Sequence, residues 1–202
     1  MFVLIENDSI TKTVPSNRGI TLGENQYPRA IYTLFSAAER EAIGIYEVVF
    51  DNTNFKDQKY YNNTNQSFAF ADGVATASYG SATANALADV NGTDADGVEL
   101  DPVVVIPGLK TKHKEIIKQQ ASSLLTANDW YVIKATDVES YSVPSAITTY
   151  RANVRTRSND MEVLIDACST VDELAALYEY VNTGTEEEPV MERPLGEFPE
   201  AV

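Results

Sequence analysis

The hydrophobic period of this chain changes once along its length, and that change limits what it can fold into. Before residue 80, apolar residues recur at every second position, as in "SFAFADGVATASY"; after residue 109 they recur at steps of three and four, as in "EIIKQQASSLL". A period of two lines one face of a strand, whereas a period near 3.6 lines one face of a helix. Between the two halves, "GSATANALADVNGTDADG" is small and polar with no sustained period, which reads as a linker or a long exposed loop. The expected fold is therefore α+β. Its parts are an N-terminal hairpin-rich β module with a short helix over 1–79, a flexible joint with a short extended segment over 80–108, a C-terminal helical module of about three helices over 109–182, and an acidic Pro-rich tail over 183–202.

Local signals fill in the modules. "FVLI", the turn-rich "ENDS" and "ITKTV" read as an opening hairpin. Ser36 and Glu39 have capping-box spacing and Gly44 follows, so "SAAEREAIG" is a short helix, after which "IYEVVF" returns as a strand. Asp72-Gly73 marks a tight hairpin that places Phe68 and Phe70 on one strand face. "PVVVIPG", bounded by Pro102 and Pro107, is a short extended segment. Beyond it Ile116, Ile117, Ala121, Leu124 and Leu125 form one helical stripe, with the lysines off it. Ser142 and Pro144 open a second helix, with Ile147, Tyr150, Val154, Met161, Leu164 and Cys168 as its stripe. Thr170 and Glu173 repeat the capping box, so "VDELAALYEYV" is a third helix ending before Gly184. The tail carries Pro189, Pro194 and Pro199 and is expected to be extended, folding only where it finds a surface.

Charge excludes some partners. Fifteen Lys and Arg against thirty Asp and Glu give a formal charge of −15, which opposes attraction to nucleic acid or anionic lipid. Lys110, Lys112, Lys114 and Lys118 form a basic cluster, and Glu186, Glu187 and Glu188 an acidic run; both read as solvated. With Cys168 as the sole cysteine, an intrachain disulfide and a Cys-rich metal site are excluded. No stretch approaches the roughly 18 apolar residues that span a bilayer, and the N-terminus lacks a signal-peptide pattern. The expectation is a protein made in a cytoplasm, or carried on a particle assembled there.

Catalytic patterns are not found. His113, the sole histidine, sits in "KTKHKE" and reads as a surface helix residue without triad or metal partners. "DVNGTDADGVELD" hints at a calcium loop, but placing Asp94, Asp96 and Gly97 in register puts Gly92 and Val103 where carboxylates belong, so an exposed Asx-type turn is the better reading. Pairs such as Asp172 with Glu173, or Glu39 with Glu41, follow from abundance alone. Cys168 lies on an apolar stripe and reads as a buried structural thiol. No phosphate-loop, dinucleotide, nucleophile-elbow or zinc-protease pattern occurs.

The sole tryptophan, in "LLTANDWYVIK", remains. If "WYVIK" resumes as extended chain after the Asn128-Asp129 turn, the indole swings back over Leu124 and Leu125 as a packing anchor; the alternative is a partner-binding hot spot. Truncating such a Trp costs about 3–5 kcal/mol, a large part of the roughly 5–15 kcal/mol that holds a domain together.

These residues have a family look. "LKTKHKEIIKQQASSLLTANDWYVIK", then Pro144 and "ITTYRANVRTRSNDMEVLIDACSTVDELAALYEYV", resembles the C-terminal module of small tail-fibre and tail-fibre-assembly proteins of tailed bacteriophages, especially marine ones. The shared pattern is a basic helix, the pair Leu124 and Leu125, Asp129-Trp130, Pro144, Tyr150-Arg151 and Arg155. "MFVLIEND" and "LFSAAEREAIGIYEVVF" resemble the N-terminal modules of the same proteins. The joint and the acidic tail beyond Val181 fall outside the likeness. The resemblance implies a structural or assembly protein of a phage tail, located in the virion and assembled in the host cytoplasm, that is not an enzyme and needs no cofactor or metal. Expected partners are other tail or fibre proteins and a second copy of the chain, with neither nucleic acid nor membrane insertion. Trp130, Leu124, Leu125, Tyr150, Arg151 and Arg155 are the structural and docking candidates. Two alternatives are a transient chaperone absent from the virion and a carbohydrate-binding receptor module using Tyr60 and Tyr61 in "DQKYYNNTNQ".

Overall fold

The computed structural model describes residues 1–202 and divides them into two compact units, Met1–Thr83 and Ala84–Val202. The fold is α+β, strand-rich in the first unit and helical in the second.

In the first unit, β1 (Phe2–Glu6) and β2 (Ser9–Val14) form the opening hairpin, turning through Asn7 and Asp8 at positive φ. A second small hairpin, β3 (Ile20–Leu22) and β4 (Asn25–Tyr27), leads into the single-turn α1 (Ile31–Leu34) and α2 (Ala37–Glu41). The expected capping box is made: the Ser36 hydroxyl accepts from the Glu39 N–H at 3.3 Å, and the Glu39 carboxylate accepts from the Ser36 N–H at 2.8 Å. Then come β5 (Ile45–Asp51), β6 (Tyr61–Asn62), β7 (Gln66–Ala71), β8 (Val74–Tyr79) and, at the border of the unit, β9 (Thr83–Ala84). The main sheet has five strands in the order β2-β1-β5-β8-β7, antiparallel except for the β5–β8 pair. Asp72 and Gly73 turn β7 into β8 with φ of 50° and 77°, the conformation that a two-residue hairpin loop demands.

Strand alternation gives the sheet two packed faces. Phe2, Leu4, Val14 and Ile45 pack with Ile31 and Tyr32 of α1 on one side. Val3, Val48, Ala75 and Ala77 face the other, where Ile10 of β2 and Phe68 and Phe70 of β7 also gather, so the two edge strands curl toward each other.

The second unit begins with residues expected to be a joint. Within them β10 (Val90–Asn91) pairs with β11 (Val105–Ile106), and the Asp94 carboxylate accepts the N–H groups of Asp96 and Val98 at 2.9 Å, an Asx turn. This segment is stitched to α3 (Leu109–Thr126). Gly108 supplies no capping side chain, so the helix start is satisfied from outside: Asp89 accepts from the Gly108 N–H at 2.8 Å, and the carbonyls of Ala86 and Leu87 accept from Leu109 and Lys110. The Thr111 hydroxyl and the Gly108 N–H hold the Asp89 carboxyl below its ordinary range.

α4 (Asp129–Asp137), α5 (Ser145–Ala167) and α6 (Val171–Ala176) follow, then a hairpin of β12 (Val181–Asn182) and β13 (Met191–Glu192). Helices α3 and α5 pack along their length. Several expectations need correction. His113 is 3% exposed, not a surface residue, because the buried stripe of α3 is Leu109, His113, Ile117 and Ala121 at four-residue steps, with Ile116 outside it. Its ring lies 4.8 Å from that of Tyr178. The lysines are only partly a solvated face: Lys112 is exposed and Lys118, paired with Glu162 at 3.2 Å, remains mostly so, whereas Lys110 and Lys114 donate to Asp166. On α5, Ile165 is fully buried and Leu164 only half so. The Thr170–Glu173 box caps α6 as expected, yet that helix stops at Ala176, and Val181 belongs to a strand.

The acidic tail is folded rather than extended. Leu195 is fully buried, its N–H donating to the Leu177 carbonyl, and Phe198 packs on the Ala121, Tyr150 and Val154 cluster. Arg157 donates to the carbonyls of Leu195 at 2.7 Å and Glu197 at 3.1 Å, while Arg193 and Tyr180 engage the Glu197 carboxylate. That last bond raises the Tyr180 hydroxyl above its usual range. Gly196, at φ of 73°, passes so close that a Cβ there would overlap the Arg157 guanidinium.

Two outcomes follow. Gly196→Ala releases the tail, seen as faster amide exchange and proteolysis over residues 183–202 while the α3 and α5 amides stay protected; unchanged tail protection would contradict this. Asp89→Asn lowers the melting temperature at neutral pH. A depressed carboxyl stabilises the fold above its unfolded pKa of about 3.9 and loses that effect as pH falls through the folded value. The gap between variant and parent therefore closes in acid, which thermal melts across a pH series would measure.

Candidate docking site

The residues singled out by the sequence pattern converge on one end of the α3/α5 pair. α3 stops at Thr126; Asn128, buried and non-helical at φ of −111°, breaks the path, and α4 restarts at Asp129. A helix end leaves carbonyls without partners. Arg151, from the facing side of α5, adds a donor there: its guanidinium donates to the Leu125 carbonyl, which also accepts from the Asn128 N–H, and to the Asp129 carboxylate, each at 2.7 Å. Only 9% exposed, Arg151 is a buried charge whose partners make it tolerable. Asp129 also lies in the first turn of α4, where the helix dipole favours a negative charge.

Leu124 and Leu125 pack half-buried against Ala121, Tyr150 and Val154. The Tyr150 hydroxyl is buried without a hydrogen-bond partner, so this side chain serves as an apolar filler. Arg155, one turn beyond Arg151 and exposed, donates to the Arg151 carbonyl at 3.3 Å. It lines an open groove of about 550 Å³ between α3 and α5, together with Lys118, Ser122, Ser158, Asn159 and Glu162.

Trp130 departs from expectation in both conformation and burial. "WYVIK" is helical rather than extended, and the indole is 50% exposed instead of covering the leucine pair. The seam between α3 and α4 is made by Arg151, so the tryptophan is not needed as its anchor. The Asn128 break turns α4 so that none of its side chains is buried; Val132 and Ile133 are 42% and 60% exposed. Trp130 lies against Tyr131 with ring centroids 3.7 Å apart, and the Lys134 ammonium sits 5.9 Å from the Trp130 ring and 4.3 Å from the Tyr141 ring.

Elsewhere, Tyr60 is buried, with Lys59 over its ring, and Tyr61 is half-buried beside Lys56, so neither offers an open stacking face. Cys168 is buried just past α5, and burial pushes its thiol above the usual range. No three His, Cys, Asp or Glu side chains are grouped to hold a metal, and no helix is long and apolar enough to cross a membrane. The sequence reading missed Ser158, Arg157 and the role of His113; the four-residue steps Tyr150, Val154, Ser158 and His113, Ile117, Ala121 were the available signal.

No protein-family model, curated protein or solved structure matches this chain.

Opposite effects are expected at the two most prominent side chains. Arg151→Met strands Asp129 and removes one donor from the Leu125 carbonyl, which keeps the Asn128 N–H, and because Asp129 is half exposed the loss is about 2 kcal/mol, below the roughly 3–5 kcal/mol for a fully buried pair. Trp130→Ala stays within about 0.5 kcal/mol, as surface changes do. Urea denaturation of both variants checks the contrast, and a loss near 3 kcal/mol at Trp130 would restore the buried-anchor reading.

Proposed function

We propose that this chain is a structural or assembly protein of a bacteriophage tail, associated with tail fibres, acting by docking onto other polypeptides and carrying out no chemistry of its own. The observation that carries the docking part is α4: a nine-residue helix with no buried side chain that nevertheless bears Trp130 and Ile133, three residues apart on one face. A monomer gains nothing from ordering such a helix unless its apolar face has a use, and contiguous exposed apolar surface marks interaction sites. Trp and Tyr are the residue types that dominate interface energetics, and here they stand on a helix end held by the buried Arg151 pair. The tail assignment rests on the resemblance carried by Leu124, Leu125, Asp129, Trp130, Pro144, Tyr150, Arg151 and Arg155. On this reading the chain resides in the virion tail after assembly in the host cytoplasm.

Mass spectrometry of purified virions and of tagged chain recovered from infected cells tests this reading. The expected result is the chain in the virion, and tail or fibre proteins co-purifying with it in amounts that fall at least about tenfold for Trp130→Ala/Ile133→Asp, as for loss of an interface hot spot. Recovery with fibre proteins but absence from virions would instead identify a transient chaperone. Recovery of no tail protein would end the proposal.

A further inference from the structure

Helix α5 separates two unlike flanks of the second unit. Positions two residues apart on an α-helix lie roughly 200° apart around its axis. Asn153, Arg157 and Asp160, which meet the tail near Glu197 and Pro199, are therefore opposite Arg155, Asn159 and Glu162, which line the groove. The chain's own tail closes the first flank. The second stays open.

Its lining is suited to an anion. Of the charges there, Arg151 is paired with Asp129 and Lys118 with Glu162, which leaves Arg155 as the uncompensated cation in a chain of net charge −15. Arg155 donates only to a backbone carbonyl. Beside it Ser158 is more than nine-tenths buried and lines the groove, and its hydroxyl has no hydrogen-bond partner in the chain.

The same unit carries a fitting ligand. Glu186, Glu187 and Glu188 stand exposed at the tip of the β12–β13 hairpin, whose strands share a pocket with Arg157 and not with the groove residues. The tip is ordered. The Asn182 side-chain oxygen accepts from the Gly184 and Val190 N–H groups at 3.0 and 2.9 Å, and the Thr185 hydroxyl accepts from the Glu188 N–H at 3.0 Å. A carboxylate presented on an ordered loop binds with less conformational loss than one on a coil.

We propose that the α3/α5 groove of one copy receives the Glu186–Glu188 tip of a second copy, a glutamate carboxylate bridging Arg155 and the Ser158 hydroxyl. Because groove and tip are different surfaces, the contact is heterologous and repeats head to tail, giving a ring if the rotation closes and a filament if it does not. The inference goes beyond the tail reading in naming the occupant, and purified protein tests it without a virion.

Net negative charge repels whole copies at long range, and salt screens both that repulsion and the local pair. Charge exchange is therefore more telling than a salt series. Sedimentation velocity over a concentration range should show the parent chain associating reversibly. Arg155→Glu alone, and Glu186→Lys/Glu187→Lys/Glu188→Lys alone, should each weaken association at least about tenfold, with circular dichroism showing both folded. Joining the two sets in one chain should restore it. A parent chain that stays monomeric throughout, association indifferent to Arg155→Glu, or a folded combined variant that fails to associate would each overturn the proposal. So would a monomeric chain that takes a synthetic peptide of residues 182–191 at Arg155, since the groove would then serve acidic segments of other proteins.

Discussion

A buried guanidinium organises the helical unit. Arg151 sits on α5 at a position otherwise suited to an aliphatic residue, and a charge so placed requires partners in fixed positions. Its partners are the last turn of α3 and the first residue of α4, so one side chain fixes where one helix ends and the next begins. Continued past Asn128, α3 would have put Trp130 nine residues beyond Ala121, half a turn from the buried stripe. Stopped there, the chain turns, Asp129 closes onto Arg151, and the aromatic and aliphatic residues of α4 face outward. The exposed apolar side chains of α4 and the buried ion pair thus stand on either side of one break.

The unit also handles apolar surface unequally. On the Arg157 flank of α5, Leu195 and Phe198 bring the tail in to cover the helix pair, and Gly196 allows the backbone to pass the arginine. Nothing comparable covers α4 or the β10–β11 ribbon, where Val103, Val104, Val105 and Ile106 are all about half exposed. An isolated two-stranded ribbon is marginal by itself. Its attachment to the start of α3 through Asp89 keeps it in place while leaving its side chains uncovered.

Where a local rule acts alone, the sequence was legible. Asp72-Gly73, Ser36 with Glu39, and Thr170 with Glu173 each specify a short-range geometry, and each is present in the structure. The β–α division was equally plain, because the two periods differ. Failures came where a distant partner decides. "WYVIK" is β-branched and aromatic, a weak strand preference that the Arg151–Asp129 pair and the α4 helix dipole override. His113 looked polar among lysines, but burial depends on the four-residue step to Ile117 and on Tyr178, which lies in another element. The tail, acidic and rich in proline, reads as unstructured until Arg157 supplies donors for its carbonyls. Of the site, the residues were named from the resemblance; their meeting at one end of α3 and α5 and the outward direction of the indole depend on tertiary contacts that the pattern does not carry.

The charge balance is informative in a way that net charge conceals. Thirty acidic residues ensure that most carboxylates face solvent unpaired, whereas the few basic residues of the second unit act as internal fasteners. Lys110 and Lys114 hold Asp166, Lys118 holds Glu162, Arg151 joins two helices, Arg157 holds the tail and Arg193 holds Glu197. Each of these cations is offset locally by its partner, and the net charge of −15 that remains discourages indiscriminate association. On such a surface specificity has two sources. One is apolar area, which is indifferent to the field, as on α4. The other is a cation left without an internal partner, whose attraction for a carboxylate is local and works against the background. Association through the first is limited by shape and through the second by register, and both sources stand at the end of the α3/α5 pair that Arg151 holds in place.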